Sequence, residues 1–160
     1  MGWDRHLLAE GRACRLGGVL FADCPVGPVG HSDGDAVAHA VIDALLGAAA
    51  LGDIGRHFPD TDPAWADAAG ADLLARTAAL VAAGGWRIGN IDATVVTERP
   101  RIAPRADEMR AALAGALGVP SSSVSVKATR GEGVGPEGRG ECVTALAVAL
   151  LLAPAPGGDA

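Results

Sequence analysis

Three side chains near the start of the sequence have the residue types and spacing of a metal site. Asp4 and His6 are two residues apart, and on a β-strand such side chains point to the same side. His39 lies in a later alanine- and leucine-rich segment with helical periodicity. One carboxylate and two imidazoles suit zinc, and three protein ligands leave the fourth tetrahedral position open. The pattern predicts a catalytic zinc centre, although an Asp-x-His triplet alone is more often an ordinary piece of strand.

A polar turn precedes the helix that carries His39, and Ser32 or Asp33 is expected to cap this helix. Asp35, His39 and Asp43 are four residues apart and share one stripe of the helix. Asp35 or Asp43 is therefore expected to orient a metal ligand through a hydrogen bond. The alternative is a solvated polar face.

Composition limits the classes of partner. The net charge of −6 argues against a nucleic-acid surface, while metal ions and backbone N–H groups can still offset the charge of an anionic ligand. The three cysteines, Cys14, Cys24 and Cys142, lack metal-ligand spacing and are predicted to be reduced, mostly buried thiols of a cytoplasmic protein. The longest apolar run, residues 143–153, is too short for a membrane span, so no membrane partner is expected.

The order of predicted elements indicates an α+β sandwich with helices on one face of the sheet. One domain is predicted over residues 1–153, followed by a disordered tail at 154–160. The predicted elements are an opening strand within 1–8, a hairpin at 15–26, the helix carrying His39, helices at 71–83 and 106–117, strands at 88–97 and 124–128, a flexible glycine-rich loop at 129–140, and a buried strand at 142–152.

Several motifs follow one another at close spacing over nearly the whole chain. They are Asp4-x-His6, His31-Ser32-Asp33-Gly34-Asp35, His39, Asp43-Ala44-Leu45-Leu46-Gly47, Gly52-Asp53-Ile54-Gly55, Phe58-Pro59-Asp60-Thr61-Asp62, Arg99-Pro100-Arg101, Lys127-Ala128-Thr129, Glu132 and Gly138-Arg139-Gly140-Glu141. Together they resemble the 2-C-methyl-D-erythritol 2,4-cyclodiphosphate synthases of the non-mevalonate isoprenoid pathway.

The resemblance implies a ferredoxin-like, chorismate-mutase-like α+β fold with a mixed sheet, assembled as a homotrimer with active sites between subunits. It implies a cytoplasmic phosphorus–oxygen lyase. The reaction converts 4-diphosphocytidyl-2-C-methyl-D-erythritol 2-phosphate to 2-C-methyl-D-erythritol 2,4-cyclodiphosphate and releases CMP.

The resemblance also implies roles for individual residues. One zinc ion per subunit is held by Asp4, His6 and His39 at the β-phosphate, and Glu132 holds a second cation, Mg²⁺ or Mn²⁺. His31 and Ser32 contact the β-phosphate, and His31 stabilises the transition state. The remaining substrate contacts are the methylerythritol residues Asp53, Ile54 and Gly55, the mobile-loop residues Phe58, Asp60, Thr61 and Asp62, the cytidine-pocket residues Thr97, Pro100, Arg101 and Ala103, and the diphosphate residues Thr129, Arg130 and Glu132.

The sequence departs from the family pattern in three places. Arg130 stands where a hydroxyl usually stabilises the transition state, and a guanidinium can do so through charge-assisted bonds. Pro136 replaces a frequent aromatic near the trimer axis. Only three residues precede Asp4, so the first strand is expected to be short, or the true start lies upstream.

Arg139 matches a position that meets an isoprenoid diphosphate in the trimer's central cavity, with a solvated arginine as the alternative.

Two other functions are compatible with parts of this pattern. A zinc phosphohydrolase would use the same three ligands, with water as the attacking group. A trimeric isoprenoid-binding module without catalysis would conserve only the fold. The intact metal ligands argue against the module, and the specificity of the 31–62 block argues against the hydrolase.

Overall fold

A five-stranded mixed β-sheet with helices on one face forms the fold. The computed structural model describes residues 1–153, and the predicted disordered tail, residues 154–160, lies outside the described residues. The strands are β1 (Gly2–Glu10), β2 (Arg15–Leu16), β3 (Val19–Leu20), β4 (Val26–Pro28), β5 (Arg87–Val96), β6 (Val124–Thr129) and β7 (Cys142–Leu152). The helices are α1 (Ala36–Ala48), α2 (Ile54–His57), α3 (Gly70–Ala83), α4 (Ala106–Leu117) and α5 (Gly135–Gly138).

The strand order of the main sheet is β4-β1-β7-β5-β6. Only β5 and β6 pair in parallel, and α4 makes the crossover that a parallel pair requires. The other neighbours pair antiparallel. The predicted α+β architecture with a mixed sheet is therefore confirmed.

The first strand is not short, contrary to the expectation from the few residues before Asp4. β1 has nine residues and begins at Gly2, where it pairs with Ala147 of β7. Gly2 is required there, because a Cβ would come within 1.9 Å of the Ala40 carbonyl oxygen of α1. This close contact brings the start of β1 directly against the helix that carries His39.

The predicted hairpin at 15–26 is smaller than expected. It consists of β2 and β3, joined by Gly17 and Gly18, which both have positive φ (57° and 77°). Positive φ at both central residues is typical of the tight turn that favours glycine. Val26 does not belong to the hairpin, since it pairs with Glu10 at the edge of the main sheet.

The capping residue of α1 is Asp35, not Ser32 or Asp33. Its carboxylate accepts hydrogen bonds from the N–H groups of Val37 and Ala38, both at 3.1 Å. The same carboxylate accepts from Gly17 at 2.7 Å and from Gly18 at 2.6 Å. Asp35 is fully buried, so four backbone donors satisfy a charge that is shielded from water. One side chain thereby fixes the hairpin to the start of α1.

α1 lies at the centre of the core, between the sheet and α3. Val37, Val41 and Leu45 are completely buried, as the apolar face predicted from their helical spacing requires. On the sheet side, Val143 and Ala145 of β7 are also fully buried. The helix that carries His39 is thus held on all sides.

β7 is buried along only half of its length, although the prediction was a fully buried strand. From Ala147 onward the side chains alternate, and Val148 is 56% exposed. The alternating residues point to the side of the sheet that has no helices, which is also the side of Trp3 and Leu7 because Trp3 pairs with Leu146. We call this the outward face; its apolar members are Trp3, Leu7, Leu146, Val148, Leu150 and Leu152.

The glycine-rich segment after β6 is more ordered than predicted. It contains α5, with Pro136 in the first turn. Backbone N–H groups in the first turn have no partner within a helix, so the N–H that proline lacks is not needed there. A Cβ on Gly131 would come within 2.3 Å of the Gly138 nitrogen, so the segment folds back on itself at these two glycines.

Within residues 1–153, no helix is long and apolar enough to cross a membrane. All three cysteines are free thiols, with Cys14 and Cys142 buried and Cys24 partly exposed, which confirms the prediction that the cysteines are mostly buried.

Candidate active site

The three predicted metal ligands meet at one point between β1 and α1. Asp4 Oδ2 lies 2.8 Å from His6 Nε2 and 3.1 Å from His39 Nδ1. The two imidazole nitrogens are 3.1 Å apart. In a tetrahedral site with bonds of about 2.0–2.1 Å, ligand atoms are separated by about 3.3 Å. The triangle formed by these three atoms therefore needs only a small expansion to hold a metal ion.

In each histidine of the triad, a hydrogen bond to one ring nitrogen determines which nitrogen faces the point shared with Asp4. His6 Nδ1 donates to the Val29 carbonyl at 2.7 Å, because a carbonyl can only accept. Nε2 of a neutral His6 therefore offers a lone pair to the point shared with Asp4. His39 Nε2 is 3.1 Å from the hydroxyl of Ser32, which leaves Nδ1 for the same point. Lone pairs and a carboxylate that converge in this way fit a divalent metal ion.

The predicted orienting role of Asp35 and Asp43 is wrong. Asp35 is occupied by four backbone N–H groups, and Asp43 Oδ1 accepts from the Ile54 N–H at 2.8 Å. Asp43 thereby connects α1 to α2. The carbonyl of Val29 and the hydroxyl of Ser32 orient the ligand rings instead.

The electrostatics of the triad favour a bound cation. Burial raises the pKa of Asp4, but hydrogen bonds from His39 and His6 outweigh it and hold the pKa of this carboxyl well below its usual range. Burial lowers the pKa of His6, but the hydrogen bond with Asp4 outweighs it, and the net pKa of His6 is raised. An ionised carboxylate thus stabilises positive charge at this point, whether the charge belongs to a proton or to a metal ion.

The triad lies at the wall of a cavity of about 440 Å³, which we call the metal-side cavity. Its lining residues are Asp4, His6, Gly30, His31, Ser32, His39, Ile54, Gly55, Phe58, Asp60, Trp65 and Leu73. Six predicted substrate residues beyond the triad are among them. Trp65 and Leu73 were not predicted, because apolar wall residues have no distinctive sequence signal.

Three other predicted residues of this region, Asp53, Thr61 and Asp62, are not part of the cavity wall. Asp53 caps α2 through a 3.0 Å bond from the Arg56 N–H. Asp62 caps the turn Pro63–Trp65, and its carbonyl lies 3.4 Å from His31 Nε2. Thr61 is exposed between them. These contacts shape the loop at the mouth of the metal-side cavity.

A second cavity, of about 450 Å³, shares no lining residue with the first. We call it the arginine-lined cavity, and its lining residues are Phe21, Ala22, Asp23, Cys24, Pro25, Glu98, Arg99, Pro100, Arg101, Pro104, Arg105 and Arg130. Pro100 and Arg101 were predicted to line a cytidine pocket. Thr97 and Ala103 do not reach the lining; Thr97 is buried and its hydroxyl donates to the Arg99 carbonyl at 2.5 Å.

Arg130 and Glu132 lie apart from the triad within the chain. Arg130 forms an ion pair with Glu98 on the wall of the arginine-lined cavity, with Nε 2.9 Å from Oε1. Glu132 is exposed and has a positive φ of 51°. Thr129 is exposed at the end of β6. Arg139 is exposed and donates to Glu141 at 2.7 Å. The chain therefore brings together Asp4, His6, His39, His31 and Ser32. It does not bring Thr129, Arg130, Glu132 or Arg139 to the same place.

Residues 1–152 match the sequence model of the YgbB family. The chain belongs to this family. Among YgbB-family relatives, the 2-C-methyl-D-erythritol 2,4-cyclodiphosphate synthase of Thermosynechococcus vestitus is 52% identical over 150 residues, which cover 94% of this chain and 92% of the relative. The bifunctional enzyme IspD/IspF of Anaeromyxobacter sp. is 58% identical over 152 residues, which cover 95% of this chain. The chain spans only 39% of the length of that bifunctional relative.

Solved structures show the YgbB fold as well. The bifunctional IspDF from Campylobacter jejuni has a TM-score of 0.89 at 37% identity, covering 94% of this chain and 40% of that chain. A 2C-methyl-D-erythritol-2,4-cyclodiphosphate synthase in a CDP-bound form has a TM-score of 0.85 at 37% identity, covering 94% of this chain and 97% of that chain. The mixed α+β fold is thus that of the YgbB family.

Proposed function

We propose that the protein converts 4-diphosphocytidyl-2-C-methyl-D-erythritol 2-phosphate to 2-C-methyl-D-erythritol 2,4-cyclodiphosphate and releases CMP. The observation that carries this proposal is the convergence of Asp4, His6 and His39 on the wall of the metal-side cavity, next to His31 and Ser32. The synthase names of family members that cover this chain almost completely support it.

Zinc is the metal proposed for the triad, since two imidazoles and one carboxylate leave one tetrahedral position open. When bound, zinc polarises a phosphate oxygen and offsets its charge. The protein's own part is to hold the reacting groups. Ser32 fixes the His39 ring, and His31 lies in the cavity wall, where its imidazole can donate to a phosphate oxygen. The apolar side chains of Ile54, Phe58 and Trp65, which also line the cavity, restrict the access of water.

Intramolecular attack by the substrate's 2-phosphate needs positioning more than acid–base chemistry. Well-oriented internal nucleophiles reach effective molarities on the order of 10⁵ M or more, which bulk water cannot match. Glu132 is proposed to hold a second cation, Mg²⁺ or Mn²⁺, at the diphosphate. A second cation also offsets the repulsion between an anionic substrate and a chain of net charge −6.

The arginine-lined cavity is proposed to receive the cytidine part of the substrate, with Pro100 and Arg101 in its wall. Because the two cavities share no residue in one chain, we propose that the triad of one subunit faces the arginine-lined cavity of a neighbour. The outward face supplies the apolar surface that a homotrimer needs. Arg139 is proposed to bind the phosphates of an isoprenoid diphosphate at the mouth of the trimer's central cavity.

We propose that residues 1–153 form one catalytic domain, because the first and last strands of the described chain, β1 and β7, are neighbours in one sheet. A cytoplasmic location is proposed on the basis of the three free thiols, which are typical of a reducing compartment.

An isotope experiment separates cyclisation from hydrolysis. The reaction is run in ¹⁸O-water with the zinc-loaded protein, and both products are weighed by mass spectrometry. Cyclisation leaves the methylerythritol product and CMP unlabelled. Label in either product would mean that water attacked, and the phosphohydrolase would replace the synthase as the function. The His39→Ala variant, run in parallel, reports any reaction that does not depend on the triad.

A further inference from the structure

Two cysteines meet at the base of the β2–β3 hairpin. The Phe21 N–H donates to the Cys14 carbonyl at 2.8 Å, which extends the hairpin pairing by one residue pair. The Cys24 N–H donates to the Phe21 carbonyl at 3.1 Å, which closes a turn directly after it. Both cysteines are therefore hydrogen-bonded through their backbones to the same residue, Phe21, at one end of the hairpin.

The two thiols differ in their access to solvent. Cys14 is only 1% exposed, whereas Cys24 is partly exposed and lines the arginine-lined cavity. Burial, together with the charge and hydrogen bond of Cys24, raises the pKa of Cys14 to about 12. At neutral pH Cys14 is therefore a protonated thiol that small oxidants do not reach. Cys24 is the member of the pair that a reagent in the cavity meets first.

We propose that Cys24 and Cys14 form a peroxide-sensitive dithiol site, in which Cys24 is the sulfur attacked by the oxidant and Cys14 is the resolving thiol. The Cys24 thiolate attacks one oxygen of hydrogen peroxide, the O–O bond breaks, and sulfenic acid and hydroxide form. Cys14 sulfur then displaces the sulfenic oxygen, which leaves as water with the Cys14 proton. The two thiols lose two electrons in total, and the peroxide accepts them.

The hairpin that carries the two cysteines contacts both the start of α1 and Arg105. On one side, Gly17 and Gly18 donate to Asp35 at the start of α1. On the other, Arg105 donates to the Leu20 carbonyl at 2.5 Å. A disulfide at the base of the hairpin would add a covalent link beside the wall of the arginine-lined cavity. Neither sulfur takes part in the proposed reaction, so the inference does not depend on the proposed function.

The test treats the full chain with hydrogen peroxide, alkylates the remaining thiols after unfolding, and measures intact mass and cross-linked peptides. The parent protein is expected to lose two hydrogens in mass, to keep one alkylatable thiol, and to yield a peptide pair joined through Cys14 and Cys24. A thiol reductant is expected to restore all three thiols. The Cys142→Ala variant is the matched control and is expected to form the same disulfide.

Single variants separate the two roles. Cys14→Ser is expected to accumulate a sulfenic acid at Cys24 that dimedone traps, whereas the parent is expected to give no such adduct after disulfide formation. Cys24→Ser is expected to resist the same peroxide dose. Three alkylatable thiols in the treated parent, or sulfinic acid at Cys24 without a linked peptide, would overturn the proposal. Circular dichroism of each variant shows whether the hairpin substitution has disturbed the fold.

Discussion

Arg130 and Glu98 form an ion pair on the wall of the arginine-lined cavity, with Arg130 Nε 2.9 Å from Glu98 Oε1. The pair holds the guanidinium beside Pro100 and Arg101 and away from the triad of its own chain. In the proposed trimer, we propose that Arg130 acts on a substrate whose β-phosphate is bound by a neighbouring subunit.

Arg130→Ala is expected to lower kcat/KM by at least about tenfold, because a charge-assisted donor to the diphosphate is lost. Thermal stability is expected to fall only slightly, since the guanidinium is solvent-exposed, although the largely shielded Glu98 loses its cationic partner. Steady-state kinetics and a melting curve measure the two effects. Glu98→Gln is the companion variant and keeps Arg130 without its anionic partner. Equal kinetics in the parent and Arg130→Ala would remove Arg130 from the catalytic residues.

His39→Ala is expected to abolish zinc binding and detectable turnover, because it removes one of three protein ligands and leaves two. Metal analysis should give one zinc per chain in the parent. The graded control is Ser32→Ala, which removes the contact to His39 Nε2 but no metal ligand, and should weaken zinc binding by about 10- to 100-fold. A full complement of zinc in His39→Ala would show that the ligand assignment is wrong.

Asp35→Ala is expected to lower the free energy of unfolding by about 2–4 kcal/mol. It removes the cap of α1 and leaves the buried N–H group of Gly17 and the half-buried N–H group of Gly18 without an acceptor. Urea denaturation measures the loss. Asp62→Ala removes one cap in an exposed turn and should cost only about 0.5–1 kcal/mol. Equal losses of unfolding free energy in the two variants would contradict the conclusion that Asp35 stabilises the fold more than an ordinary helix cap.

Val148→Lys is expected to convert a trimer into monomers, since it places a charge in the centre of the outward face. Val134→Lys is the control, because Val134 is exposed outside this face and its substitution should leave the assembly intact. Sedimentation velocity at micromolar concentration measures both. A parent protein that sediments as a monomer would refute the trimer.

Arg139→Ala is expected to weaken geranyl diphosphate binding by at least about tenfold, because the phosphates lose a cationic donor. Isothermal titration calorimetry measures the affinity. Arg87→Ala, an exposed arginine at the start of β5, should bind like the parent. If Arg139→Ala also bound like the parent, Arg139 would be a solvated arginine paired with Glu141.

The sequence was sufficient to predict the triad, because each of its ligands follows the period of its element. Asp4 and His6 alternate on a strand, and His39 lies on a strongly periodic helix. The ring-orienting carbonyl of Val29 could not be predicted, because every residue has a carbonyl and its direction depends on the tertiary fold. The identity of the helix cap was ambiguous for a related reason, since Ser32, Asp33 and Asp35 are all good capping residues.

The exposure of β7 could not be predicted because both of its faces are apolar. Val148 and Ala149 have opposite environments but similar hydrophobicity, so no alternation marks the outward side. The short helix α5 was missed for the opposite reason, since glycine and proline are poor helix formers and only the fold-back at Gly131 and Gly138 holds it.

The pairing of β1 with β7 has a consequence for biosynthesis. Asp4 is opposite Ala145 and His6 is opposite Val143, so the strand that carries two metal ligands is completed by the last strand of the described chain. A ribosome must therefore release the chain as far as β7 before the first ligands acquire their final partner strand. Such sequence-distant pairing slows folding, because a large loop must close before the contact forms. Capture of the proposed zinc ion is accordingly expected late in the folding of the chain.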